Sequence, residues 1–189
     1  MNIKIPPTLS EHESLQRAIH EPLQLVPYDT AWPLLFEAER ARLRGLCPTA
    51  FLGIEHVGST AVPTLSAKPI IDLMAGVPSL AEADAILPGL CANGYVTSAE
   101  FNATLVDKRW LMRHAEGRRT HHLHLMVFES LAWRKHLAFR EALRASAHLR
   151  SRYEALKTRL VAQAGSDREA YTAMKTAFVN DVVAGCRVQ

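Results

Sequence analysis

Three stretches of this chain carry residue types suited to a phosphorylated ligand. The first is Ile54-Glu55-His56-Val57-Gly58-Ser59-Thr60, an apolar run ending in a Gly-Ser turn. Such a turn brings bare backbone N–H groups close to a ligand, and Ser59 and Thr60 add hydroxyls, a combination that suits phosphate oxygens. A plain strand-to-loop turn has the same composition. The second stretch, Lys68-Pro69-Ile70-Ile71-Asp72-Leu73-Met74, sets one carboxylate in a strand that otherwise reads as buried on both faces. An ionised Asp72 there needs a cation, several donors or a partner, because unpaired burial of charge is costly. It suits the hard cation that accompanies a phosphate, or a structural bond to a backbone turn or to Lys68. The third, His121-His122-Leu123-His124-Leu125-Met126-Val127, alternates so that His122 and His124 share a face. A His-x-His pair can clip a metal or donate to phosphate, and it also fits the polar side of an edge strand.

Further cations surround these stretches. Arg109 and Arg113 share a face of the strand before the histidines, and arginine forks match phosphate oxygens. Arg118 and Arg119 read better as solvated hairpin residues. Tyr171 and Lys175, four apart on a helix, can present a hydroxyl and an ammonium, although an amphipathic helix with Met174 and Phe178 inside gives the same spacing. Of Glu55 and His56, alternation turns one inward, either into a site or as a satisfied core group.

The elements that must position these groups are legible in outline. Residues 1–22 read as a peripheral arm, with a short helix after Pro6-Pro7, and residues 23–189 as one domain. Residues 23–26 are a short strand candidate. A helix follows over 32–46, with Asp29 or Thr30 as its N-cap. Strands are expected at 51–57, 69–77, 95–98, 108–114 and 120–128, with a helix at 80–92 stopped by Asn93-Gly94. Gly117 marks a hairpin loop. Helices over about 131–145, 147–164 and 167–186 close the chain. The class is α+β: a mixed sheet core over about 23–130 flanked by helices, with a C-terminal helical layer over about 131–186.

Composition narrows the function. The 189 residues hold 22 basic and 19 acidic side chains, a formal charge of +3 that argues against a nucleic-acid partner. Four of the nine histidines fall between His114 and His124, which makes them a matter of site chemistry. Cys47, Cys91 and Cys186 form no C-x-x-C pair and suit a reducing, cytoplasmic setting. No apolar run approaches the ~18 residues of a membrane span, and the first residues lack the apolar core of a secretory signal.

Glu55-His56-Val57-Gly58-Ser59-Thr60-Ala61-Val62-Pro63, followed by Ala67-Lys68-Pro69-Ile70-Ile71-Asp72, closely resembles the signature of the GrpB family. His122-Leu123-His124, Trp133-Arg134-Lys135-His136-Leu137-Ala138-Phe139-Arg140, Tyr153-Glu154-Ala155-Leu156-Lys157 and Asp167-Arg168-Glu169-Ala170-Tyr171, with Lys175 and Phe178, agree with it. The resemblance runs from about Leu23 to Ala184. It implies the nucleotidyltransferase-like fold of the DNA polymerase β type, with a Gly-Ser turn on nucleotide phosphates and strand carboxylates on magnesium. In some eukaryotic proteins a related domain is joined to dephospho-coenzyme A kinase. The chain departs from active members of that superfamily at Met74, where a second carboxylate is usual. A third carboxylate on a later strand is common there, and here that strand offers His122 and His124. One aspartate and two imidazoles suit a single transition metal such as zinc or manganese better than a magnesium pair.

The leading expectation is therefore a nucleotidyltransferase-like protein that binds a nucleotide or other phosphorylated small molecule. Gly58, Ser59 and Thr60 would hold phosphate, and Lys68, Arg113 and Lys175 would neutralise charge. Asp72 would be the catalytic residue and a ligand, with His122 and His124, of a divalent metal ion (magnesium, zinc or manganese). The reaction would be nucleotidyl or phosphoryl transfer. Two alternatives are a catalytically silent module for a nucleotide or coenzyme A-type ligand, and a mononuclear metal-dependent hydrolase. Oligomeric state is open.

Overall fold

Apolar residues at helical spacing give the first helix a buried stripe of Trp32, Phe36 and Leu43, a near-continuous apolar run buries both faces of most of Ile71–Val77, and alternation buries one face of Arg118–Val127. The structure, a computed structural model, describes residues 24–115, 118–163 and 168–186. The expected arm, the Gly117 loop and the Gly165-Ser166 break lie outside the described residues. So does the side chain of Tyr171.

Helix α1 (Trp32–Leu46) leads into β1 (Gly53–Val57), a single 3-10 turn (Ser59–Ala61) and β2 (Ile71–Val77). Then come α2 (Leu80–Ala92), β3 (Tyr95–Val96), α3 (Ala99–Ala103) and the hairpin β4 (Lys108–Ala115) and β5 (Arg118–Val127). Helices α4 (Leu131–Ala145), α5 (Ala147–Gln163) and α6 (Arg168–Gly185) follow. The five strands form one mixed sheet in the order β1-β2-β5-β4-β3, with β2 and β5 parallel and the other pairs antiparallel.

Several sequence expectations shift at their edges. Of the expected strand at 23–26, the described residues 24–26 contribute only a bridge between Val26 and Ala67. Asp29 does not stand as the N-cap, but its carboxylate accepts the Ala31 N–H at 2.8 Å just before α1. Helix α3 was not foreseen; it splits the expected 95–98 strand from β4, and Ser98 caps it by accepting the Phe101 N–H at 3.1 Å.

Strand alternation divides the sheet into two unlike faces. Ile71, Leu73, Ala75, Leu111, Leu123 and Leu125 meet α1 and α2 in the main core. Asp72 and Met74 of β2, His122 and His124 of β5, and Trp110 of β4 belong to the opposite face. There α4 covers one end: Trp133 and Leu137 pack with Val57, Met74 and Met126. The other end, around Asp72, is left partly open.

Candidate functional site

Pairing sets the site. Asp72 stands opposite Val57 on one side and His122 on the other, and Met74 opposite His124. The Asp72 Oδ1 accepts a hydrogen bond from Nδ1 of His122 at 2.9 Å, while Nε2 of His124 stands 3.9 Å from the same oxygen. All three side chains are partly exposed, at 27%, 20% and 17%, so the cluster is reachable without being solvated freely. Nε2 of His122 and Nδ1 of His124 are buried without a protein partner among the described residues.

Burial alone would raise the Asp72 carboxyl, but the hydrogen bond from His122, the approach of His124 and their charges outweigh it and hold the group well below the usual range. Burial pushes His124 down to about 4 against the pull of Asp72, so at neutral pH that ring is uncharged.

Gly58 fixes the turn beside this carboxylate. Its φ of 72° and ψ of −171° belong to backbone that only glycine adopts readily. The next residue, Ser59, begins the 3-10 turn. Its Oγ lies 3.4 Å from Nζ of Lys157, which also donates to the Ser66 carbonyl. Lys157 comes from α5, is 3% exposed and lies over the Tyr153 ring at 5.0 Å. Among the described residues no carboxylate forms an ion pair with it. Burial first, and then the charge of Lys175, push its ammonium down to about 8, with Glu154 opposing.

Lys157 was not singled out from the sequence, although a signal existed. Positions 153, 157 and 160 share one helix face, and a lysine between an inward tyrosine and an inward leucine must find acceptors in the interior. Helix α4 clamps the same loop from above: Arg140 donates to Glu55 Oε2 and the His56 carbonyl, both at 2.8 Å, and Arg144 to the Ala61 carbonyl.

Two expected phosphate ligands are corrected. Thr60 is 1% exposed, and its hydroxyl is engaged with the Ile70 carbonyl at 3.3 Å and His56 Nε2 at 3.0 Å, so it braces the turn from inside. Arg113 lies on the face of α1, because its register partner is His121 and not His122. There it donates to Glu39 Oε2 at 2.5 Å, while Tyr95 and Arg42 donate to Oε1 at 2.6 and 3.1 Å. Arg109, on that same face, pairs with Asp84 of α2. His56 is the inward member of its pair, stacked on Phe36 with ring centroids 4.8 Å apart. Lys68 is half-buried in the loop before β2, and Lys175 is exposed on α6 with its charge felt at Lys157.

The expected metal set does not fit as a resident cage. Oδ1 of Asp72 already accepts from His122, and among the described residues no group of three or more His, Cys, Asp or Glu is arranged to hold an ion. Met74, in the place of a second carboxylate, is fully buried against Val57, Met126 and Trp133. Among the described residues no helix is long and apolar enough to cross a membrane.

Comparison with known proteins shows the family and the fold. The family described as GrpB protein matches residues 22–184. The chain is 32% identical over 141 residues to the UPF0157 protein YqkA of Bacillus subtilis, covering 75% of this chain and 40% of that protein. It is 31% identical over 191 residues to a dephospho-CoA kinase of Mycolicibacterium paratuberculosis, covering 89% of this chain and 47% of that protein. The chain thus spans less than half the length of these two relatives. Among solved structures, that of conserved protein GrpB from Enterococcus faecalis superposes with a TM-score of 0.75 at 32% identity, covering 86% of this chain and 96% of that one.

Proposed function

The chain belongs to the GrpB family, of nucleotidyltransferase-like fold, and from that premise we propose that it binds a nucleotide or other phosphorylated small molecule at the Gly58-Ser59 turn beside Asp72. The observation that carries the reading is Lys157. A buried ammonium with two oxygen acceptors and no paired carboxylate among the described residues retains charge and a third N–H for an anion. Because Lys157 donates to Ser59 Oγ, the Ser59 hydroxyl hydrogen is left to donate to the same anion. Lys175 adds a second positive charge nearby, and Gly58 keeps the turn free of side-chain bulk.

Binding, rather than two-metal transfer, is the part the geometry supports best. A pair of ions needs several anionic oxygens, and Met74 fills the second carboxylate position with a dry thioether. An ion that arrives with the ligand's phosphates is part of the ligand.

Titration calorimetry of the full chain with tripolyphosphate, nucleotides and coenzyme A derivatives tests the reading. Ser59→Ala should cost about 0.5–2 kcal/mol of binding, a range that spans one hydrogen bond to a neutral or a charged group, and Lys157→Met more than that. Unchanged dissociation constants in both variants would remove this turn from the binding of phosphate.

A second reading rests on the Asp72–His122 hydrogen bond. The Asp72 carboxylate holds Nδ1–H of His122, which leaves Nε2, an atom without a protein partner among the described residues, as the ring's proton acceptor once an acceptor hydroxyl reaches it. In nucleotidyl transfer it would take the proton of an acceptor hydroxyl as that oxygen bonds to the α-phosphorus and pyrophosphate leaves. Transfer of labelled nucleotide that vanishes in Asp72→Asn while binding persists supports this reading. Transfer that persists in the variant removes it.

A further inference from the structure

We propose that the ligand is specifically a nucleoside phosphate, whose base lies on an aromatic shelf formed by Trp110 and Phe101; the inference rests on the phosphate reading above and names the ligand's other end. The observation is a continuous strip across one sheet face. Lys157 touches Ser59, Gly58 abuts Asp72, Asp72 pairs with His122, and the His122 ring lies 5.4 Å from that of Trp110. Trp110 in turn meets Phe101 edge-on at 5.4 Å. The strip crosses from β1 to β4, three strand spacings of about 4.8 Å each. A molecule that lies along it meets positive charge at one end and aromatic carbon at the other, which is the polarity of an extended nucleotide.

The shelf is built, not incidental. Asn102, 7% exposed, accepts the Trp110 N–H at 2.7 Å and donates to the Trp110 carbonyl at 3.2 Å. It also donates to Thr97 Oγ1 at 2.6 Å, and that hydroxyl donates to the same carbonyl at 2.7 Å. These bonds lock α3 to β4 and so fix the two rings relative to each other. Phe101 nevertheless stays 45% exposed. A helix of five residues whose asparagine is bonded to one tryptophan's backbone and whose phenylalanine is left in water fits a stacking surface.

Calorimetry with ATP, GTP and tripolyphosphate, all with magnesium, tests it. The better-bound nucleotide should exceed tripolyphosphate by roughly five- to a hundredfold, the range for stacking one base on an aromatic ring. Phe101→Ala, at an exposed position, should remove several-fold of that nucleotide affinity and leave tripolyphosphate unchanged, and Phe101→Tyr should restore it. Trp32 and Trp133 are each 3% exposed, so nucleotide should quench tryptophan emission through Trp110, and Trp110→Leu should abolish the quenching. Tripolyphosphate binding as tightly as every nucleotide, or Phe101→Ala weakening both ligands equally, overturns the shelf and leaves the phosphate site standing. Failure of tripolyphosphate and nucleotides alike to bind overturns both.

Discussion

The α-carbon of Gly58 rests so close to the carboxylate of Asp72 that a β-carbon there would lie 2.2 Å from Oδ2 and 2.9 Å from Cγ. The Gly58 turn and the strand that carries the carboxylate are therefore one packed unit. Asp72 cannot swing away cheaply, because its other oxygen is held by His122.

Gly58→Ala should for this reason do two things at once. The backbone region is essentially restricted to glycine, at a cost of about 1–3 kcal/mol for any other residue, and the new methyl must displace Asp72. Urea unfolding should show that loss of stability, and binding of tripolyphosphate should weaken with it. Wild-type stability in the variant would mean that the turn relaxes without strain.

Ligand binding should weaken with rising alkalinity through Lys157. Its folded pKa, pushed down to about 8, lies below the value of 10.5 for a solvated lysine. The free protein loses the cation as pH passes about 8, and affinity for an anion falls with it, whereas Lys157→Arg should flatten the profile. Folding stability takes the opposite sign: between about 8 and 10.5 the unfolded chain binds more protons, so stability should rise across that window, and Lys157→Met should lack the rise.

Acid should destabilise the fold through His56. Burial against Phe36 lowers it to about 4 from 6.5, with Asp72 opposing. Only the unfolded chain takes up its proton between those values, so stability should fall as pH drops from about 6.5 to 4, by on the order of 2–3 kcal/mol from this group. His121, His124 and His136 are lowered by burial too and add to the same slope. Denaturant titrations at pH 7 and 4.5 should show a smaller drop in His56→Asn than in the wild type; an equal drop would assign the acid sensitivity to the other histidines.

Arg113→Ala separates the two faces of the sheet. It should cost about 1.5–3 kcal/mol of stability, the range of a hydrogen bond to a charged group, since Glu39 keeps Tyr95 and Arg42 but loses its bond at Oε2. Affinity for phosphorylated ligands should not change. A large loss of affinity at constant stability would place Arg113 back in the site.

Local pattern was enough for much of this chain. Helical spacing gave Trp32–Leu46 and Leu80–Ala92 with their observed bounds, and alternation put His122 and His124 on one side of β5. The lone carboxylate in an apolar strand marked Asp72 as a residue in need of partners. These features depend on side-chain period and on the cost of burying charge, both of which are properties of short segments. Partners across the sheet are not. Whether Arg113 faces Asp72 or Glu39 depends on a one-residue register between β4 and β5, and a shift of one residue reverses the face of every side chain. Thr60 was misread because the carbonyl that its hydroxyl reaches belongs to Ile70, ten residues on and brought back by the loop. Lys157 joined the site only because α5 packs over the turn, 98 residues away in sequence. The chain alone determined which residues needed company; tertiary packing decided which company they keep, since hydrogen bonds and ion pairs form between neighbours in space.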